Sequence, residues 1–201
     1  MTWITTIPFD KATGKLKKLY HRVVGPDNNV DNILLVHSLR PHSLEGHMAL
    51  YKNVLHHNGN QLEKHWLEAL GIYVSYLNDC SYCVEHHFQG YKRLLNDDTR
   101  AEAFRKSIVD DRLSDSLSEK YETLFSYAKT LTLAPNQVEE SLLKEMKQAG
   151  FSDGEILEVN QVVAYFNYAN RTVLGLGVST QGDILGLSPN NSDEPDNWVH
   201  S

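Results

Sequence analysis

Apolar residues along this chain recur three and four positions apart, and no clean two-residue alternation is bounded by Asn-Gly or Asp-Gly turns. The pattern predicts an all-α protein. A first helix is expected from about Thr13 to Val24, stopped by Gly25-Pro26, and a second from about Val30 to Leu39, ahead of Pro41. A third runs from about Ser43 to His57, with Ser43 as N-cap, Leu44, Met48, Tyr51 and Leu55 on one face and Gly59 beyond its end. The fourth, about Gln61 to Leu77, holds nine consecutive uncharged residues from Ala69 to Leu77, so its second half is expected to be buried on most sides. Asn78-Asp79 breaks the pattern and offers caps for a fifth helix, about Cys80 to Leu95. Amphipathic helices follow at about Thr99 to Val109, Ser118 to Thr132 and Gln137 to Ala149, then a long one from about Asp153 to Leu174.

Residues 1–29 read as an N-terminal helical extension, 30–187 as one helical domain and 188–201 as a polar tail. The tail carries two prolines and has the composition of a disordered segment, unless it docks on the body or on a neighbouring subunit. With 19 Lys plus Arg against 26 Asp plus Glu, the net charge of −7 argues against a nucleic-acid binder. Residues Met1 to Lys18 lack the features of a secretory signal, and no apolar run approaches the roughly 18 residues that span a bilayer. A cytoplasmic home is therefore expected. In a reducing cytosol, two cysteines are more often catalytic or metal-binding than a structural staple.

The two are adjacent. Asn78-Asp-Cys-Ser-Tyr-Cys-Val-Glu-His-His87 gathers both thiols, two imidazoles and a carboxylate on the first turns of the fifth helix. Cys80 and Cys83 are neighbours at i, i+3, close enough for a disulfide, and Cys83 and His87 are neighbours at i, i+4. Cys80 and His87 are separated by roughly 10 Å along the axis, so the imidazole serves Cys83 alone, lowering its pKa and supplying a base. If the fourth and fifth helices form an antiparallel hairpin about 78–79, Glu68 comes level with His87 to within roughly 3 Å and completes a Glu68, His87, Cys83 relay. Against this, Glu68 lies opposite the stripe of Leu62, Trp66, Leu70 and Leu77, where a carboxylate would be solvated. Redox chemistry, a zinc site and inert packing all remain open on the residues. Zinc would need a fourth ligand, which consecutive His86 and His87 are badly placed to supply together, and Val84 excludes c-type haem attachment.

The offsets among Glu68, Cys80, Cys83 and His87 resemble the motif of alkylhydroperoxidase AhpD, in the peroxidase-related branch of the carboxymuconolactone decarboxylase superfamily. Asn32 to Tyr51, with His37-Ser38-Leu39, and the run Phe166-Asn167-Tyr168-Ala169-Asn170-Arg171 add to the likeness, which extends from Pro8 to Val178. Tyr82 departs from it, standing where AhpD has a histidine; its hydroxyl can join a hydrogen-bonded relay but is no base at neutral pH. The resemblance implies an AhpD-like all-α fold with the thiols on a helical hairpin, assembly as a homo-oligomer (dimer, trimer or hexamer), and neither cofactor nor metal. It also implies that Cys83 attacks peroxide and becomes a sulfenic acid, that Cys80 resolves it, and that a dithiol partner, thioredoxin-like or a lipoyl protein, reduces the pair. A helix N-terminus would instead favour the thiolate at Cys80, but an effect of roughly 0.3–1 kcal/mol should yield to a local base.

The expected function is thus a thiol-dependent peroxidase of antioxidant defence acting on hydrogen peroxide or organic hydroperoxides. The rivals are a redox-sensing or disulfide-exchange protein without significant turnover, and a carboxymuconolactone decarboxylase-type enzyme, whose chemistry does not need the C-x-x-C. Other polar residues read as structural. His56-His57 suits the cationic end of a helix. His37, His42 and His47 suit capping or packing, and Asn160, Asn167 and Arg171 suit structural hydrogen bonds. Tyr165, Phe166 and Tyr168 read as core or subunit interface rather than substrate pocket.

Overall fold

Helical spacing becomes helix nearly throughout this computed structural model, which describes residues 2–194 and 196–200; Met1, Ser201 and the tail's Pro195 lie outside. Among the described residues there are nine α-helices and no strand: α1 Gly14–Val23, α2 Asn32–Leu35, α3 Pro41–Leu55, α4 Lys64–Leu77, α5 Ser81–Leu95, α6 Asp98–Val109, α7 Glu119–Leu133, α8 Glu140–Gln148 and α9 Asp153–Gly175. Among the described residues no helix is long and apolar enough to cross a membrane.

Four expected boundaries shift, each for a local reason. The second helix closes after Leu35 because i→i+3 bonds take over at His37 and Ser38, and Pro41 pushes Arg40 out of the helical region to φ −139°, ψ 77°. Pro41, not Ser43, opens α3, its fixed φ suiting a first helical position. Residues 61 and 62 stay outside α4 because their N–H groups donate to the Glu158 carboxylate of α9 at 2.8 and 2.9 Å. A 3₁₀ turn at Pro135–Gln137 delays α8 to Glu140.

Helix α4 lies at the centre, packed chiefly on α5, α9 and α7, which is why every residue from Ala69 to Ser75 is buried. Leu16, Leu19, Tyr20 and Val23 of α1 enter the same core as Leu44, Leu70, Phe125 and Phe166. A capping box, Ser152 with Glu155, starts α9, a device worth about 1 kcal/mol. Helices α4 and α9 approach most closely at Gly71, where an added Cβ would sit 2.2 Å from the Phe166 ring. Gly71→Ala must displace that ring, and overpacking of this kind costs about 1–3 kcal/mol; thermal melting should show the loss, and an unchanged midpoint would mean the ring yields freely.

The polar tail does not behave as its composition predicts. Residues 188–194 and 196–200 form a strap over α3, with isolated bridges at His57–Ser192 and Pro189–His200. Lys52 of α3 is fully buried and donates through Nζ to the Asn190 carbonyl and to Ser192 Oγ. Trp198 is 2% exposed, with the Arg22 guanidinium 3.7 Å above its ring. One large aromatic and one buried cation with its acceptors supply the contacts that average composition conceals.

Candidate active site

The bend between α4 and α5 sets the cysteines. Asn78 ends α4, Asp79 takes a left-handed φ of 55°, and Cys80 is the N-cap of α5, with Cys83 one turn inside. Asn78 Nδ2 donates to Asn167 and Asn170 of α9 at 3.1 and 3.0 Å, pinning the bend to the long helix. Both cysteines are buried free thiols, hydrogen-bonded to each other, with Asn170 beside both and Ser75 beside Cys83. Asn170 in turn donates to Ser75 Oγ at 3.0 Å.

The expected lowering of the Cys83 pKa by His87 is not met. The Cys83 thiol is held well above its ordinary range, first because it donates to Cys80 and then by burial, while Cys80 is lowered by accepting that bond. Two thiols in contact share one charge: the first proton lost leaves the anion on Cys80, and Cys83 keeps its proton toward it. The imidazole is engaged elsewhere. His87 Nδ1 lies 2.7 Å from Glu68 Oε2, and Phe166 packs edge-on against its ring at 4.5 Å.

Glu68 is therefore no solvated surface carboxylate; it is 2% exposed. Position on a single wheel misled because α4 has neighbours on most sides, so the face opposite its apolar stripe meets α5 instead of water. Glu68, His87 and Cys83 all border one small cavity of about 40 Å³, room for about three waters. Cys80 borders a different, more open groove of about 240 Å³ between α4, α5 and α6, beside Ile72, Val84 and Ile108.

Tyr82 also borders the inner cavity, but its hydroxyl is committed: it donates to Asp183 Oδ2 at 2.7 Å and accepts from the Ile33 N–H at 3.2 Å. His86 Nε2 lies 3.2 Å from the same carboxylate. Two imidazoles thus line the cavity, each held by a carboxylate: His87 by Glu68, which lines it too, and His86 by Asp183, which lies behind. Asp183 and Asp31 were not picked out from the sequence, since both fall in irregular segments far from the motif. Asn170 was missed too, although the run Asn167 to Asn170 marked the neighbourhood. Asn160 and Asn167 make the expected structural bonds, to Tyr127 and Thr132.

Two further expectations are corrected. Tyr165 borders the cavity, stacked on Tyr51 at 5.4 Å, as well as belonging to the core. His56 is fully buried and pushed well below the usual histidine range by burial, so it is neutral and no cationic helix end. His37 and His47 pack together at 4.9 Å. Burial lowers His47 to about 3 and His200, which closes the cavity from the strap, to about 4. Neutral in the folded chain, these imidazoles contribute stability above the ordinary pKa of 6.5 that is lost as pH falls toward 4 and 3. The melting midpoint should fall over that window, and His200→Phe should flatten the fall; an unchanged slope would place the acid sensitivity elsewhere. Among the described residues, no three His, Cys, Asp or Glu side chains gather as a metal site.

No protein-family model matches the chain, and no curated protein matches it by sequence. Solved structures do. The alkylhydroperoxidase AhpD core of an uncharacterized peroxidase-related protein from Ralstonia eutropha JMP134 superposes with a TM-score of 0.77 at 17% identity, over 89% of this chain and 91% of that one. An uncharacterized peroxidase-related protein from Silicibacter sp. TM1040 gives 0.75 at 23% identity, again over 89% and 91%. A debrominase gives 0.65 at 15% identity, over 82% and 85%. These likenesses, with the all-helical architecture and the close C-x-x-C pair on its hairpin, lead to one conclusion: the chain has the AhpD-like fold of the peroxidase-related proteins.

Proposed function

We infer that the protein is a thiol-dependent peroxidase of antioxidant defence, reducing hydrogen peroxide or small hydroperoxides through a Cys80/Cys83 dithiol–disulfide cycle. One observation carries this reading: a free dithiol whose Cys83 borders the small cavity that the Glu68–His87 pair also lines. Access, more than ground-state acidity, selects the attacking sulfur. In the monoanionic pair, the Cys83 proton passes along the S–H···S bond to Cys80 as Cys83 attacks the peroxide. The S–O bond forms, the O–O bond breaks, and Cys83 becomes a sulfenic acid. Cys80 then attacks the Cys83 sulfur and gives up the proton it received, the disulfide forms, and the sulfenic oxygen leaves as water carrying that proton, with the Glu68–His87 pair on the cavity wall to pass it across.

Cavity size favours peroxide over the debrominase's kind of chemistry, because a space of about 40 Å³ is far below the roughly 150 Å³ that accepts an aromatic ring. Addition of one equivalent of hydrogen peroxide to the reduced protein should remove that equivalent and leave a Cys80–Cys83 disulfide by mass spectrometry. A protein left reduced, with the peroxide intact, would exclude the reading.

The reductant belongs on the other side. A dithiol partner, thioredoxin-like or lipoyl, attacks Cys80 from the groove beside Ile72, Val84 and Ile108. Val84→Trp fills this groove; it should slow reduction of the disulfide by a dithiol at least about tenfold while leaving oxidation by peroxide unchanged. Equal effects on both half-reactions would remove the two-sided arrangement. Homo-oligomeric assembly belongs to the same proposal.

A further inference from the structure

Asp31 stands just before α2, the position from which an aspartate commonly accepts the first backbone N–H groups of a helix. It makes no such bond. The Asn32 N–H is taken instead by Asp183, whose two carboxylate oxygens both lie at 3.1 Å. Displaced from its capping task, the Asp31 side chain borders the cavity that Cys83 also borders; it is 7% exposed, and its Oδ1 has no hydrogen-bond partner. A buried carboxyl with one unsatisfied oxygen, on the wall of a space the size of a few waters, is a group built to meet a ligand.

We propose that Asp31 is the general acid of peroxide cleavage, donating its proton to the oxygen that leaves when Cys83 attacks. This rests on the peroxidase reading and adds to it the fate of the leaving group. The Cys83 sulfur takes one peroxide oxygen as hydroxyl and is oxidised by two electrons. The other oxygen, reduced, departs with the Asp31 proton as water or an alcohol, and Asp31 is left as a carboxylate until solvent reprotonates it. Without such a donor the leaving group would be hydroxide or an alkoxide expelled into a small space with room for about three waters, a step that a positioned acid accelerates by about 10²–10⁴-fold.

Its surroundings keep this carboxyl protonated. Burial raises it to about 7, Asp183 adds to the rise, and His86 opposes it. Across the cavity, His47 and His200 are held neutral, and the phenols of Tyr51, Tyr82 and Tyr165 and the Cys83 thiol are held well above their usual ranges. Glu68 faces the same space from α4, already paired with His87.

The test compares two small oxidants in single-turnover oxidation of the reduced protein. Hydrogen peroxide expels hydroxide and needs the acid; peracetic acid expels acetate and does not. In Asp31→Asn, the rate constant with hydrogen peroxide should fall on the order of 100-fold, while that with peracetic acid changes less than about threefold. In the wild type, which requires no variant to fold, the ratio of the two rate constants should drop about fourfold between about pH 5.5 and about pH 7.5 as Asp31 ionises. Taking the ratio cancels the thiolate fraction. That drop should vanish in Asp31→Asn. Equal losses with both oxidants, or a wild-type ratio flat with pH, would overturn the role of Asp31 while leaving the peroxidase standing. A wild type inert to both oxidants would overturn both.

Discussion

Cys83→Ser should lose peroxide consumption on the order of 10⁴-fold, to the rate of an isolated thiol, with Cys80 still present and reduced. Cys80→Ser should behave differently: it consumes one equivalent of peroxide, stalls with Cys83 as a sulfenic acid that a dimedone-type reagent traps, and does not turn over. The contrast follows from placement, since Cys83 borders the small inner cavity and Cys80 the more open groove between α4, α5 and α6. Cys80→Ser also removes the anion that receives the Cys83 proton, so its single turnover should be slower than that of the wild type and should quicken as pH rises. Persistent peroxide loss in Cys83→Ser, or a sulfenic acid trapped on Cys80, would reverse the assignment in favour of the more acidic sulfur. Stopped-flow oxidation with mass spectrometry of the trapped adduct reads both results.

The largest effect on stability should come from a residue in the tail. Trp198→Ala removes a 2%-exposed indole packed beneath Arg22, and truncation of a buried Trp costs about 3–5 kcal/mol. At about 2–4 °C per kcal/mol for a chain this long, the melting midpoint should fall by roughly 6–20 °C. The same change reaches the cavity, because the His200 Nδ1 lies 2.8 Å from the Trp198 carbonyl and His200 borders the space beside Cys83. Loosening the strap should therefore raise the rate with a bulky aryl hydroperoxide relative to hydrogen peroxide. A midpoint unchanged in Trp198→Ala would mean that the strap contributes little in solution.

Helices were legible because their signals are local. The spacing of Leu44, Met48, Tyr51 and Leu55, the uncharged run after Ala69 and the break at Asn78-Asp79 each specify a face or an end without reference to the rest of the chain. Cys80, Cys83 and His87 lie within eight residues of one helix start, so their neighbourhood followed from helical geometry. Glu68 could be brought level with His87 by counting along a hairpin, but whether it met water or α5 depended on what covered that face. Its burial and its 2.7 Å bond to His87 come from packing.

Sequence alone determined the all-helical class and the placing of Cys80, Cys83 and His87 on the first turns of one helix, since each rests on contacts within a few turns. Tertiary structure decided the rest. The sharing of one proton between the thiols, the arrival of Asn170 and Ser75 beside them, the exchange by which Asp183 caps α2 and frees Asp31, and the docking of the strap through Lys52 and Trp198 all join residues distant along the chain. Hydrophobic periodicity records which face of a helix avoids water; it carries no information on which polar atom meets which once two such faces close.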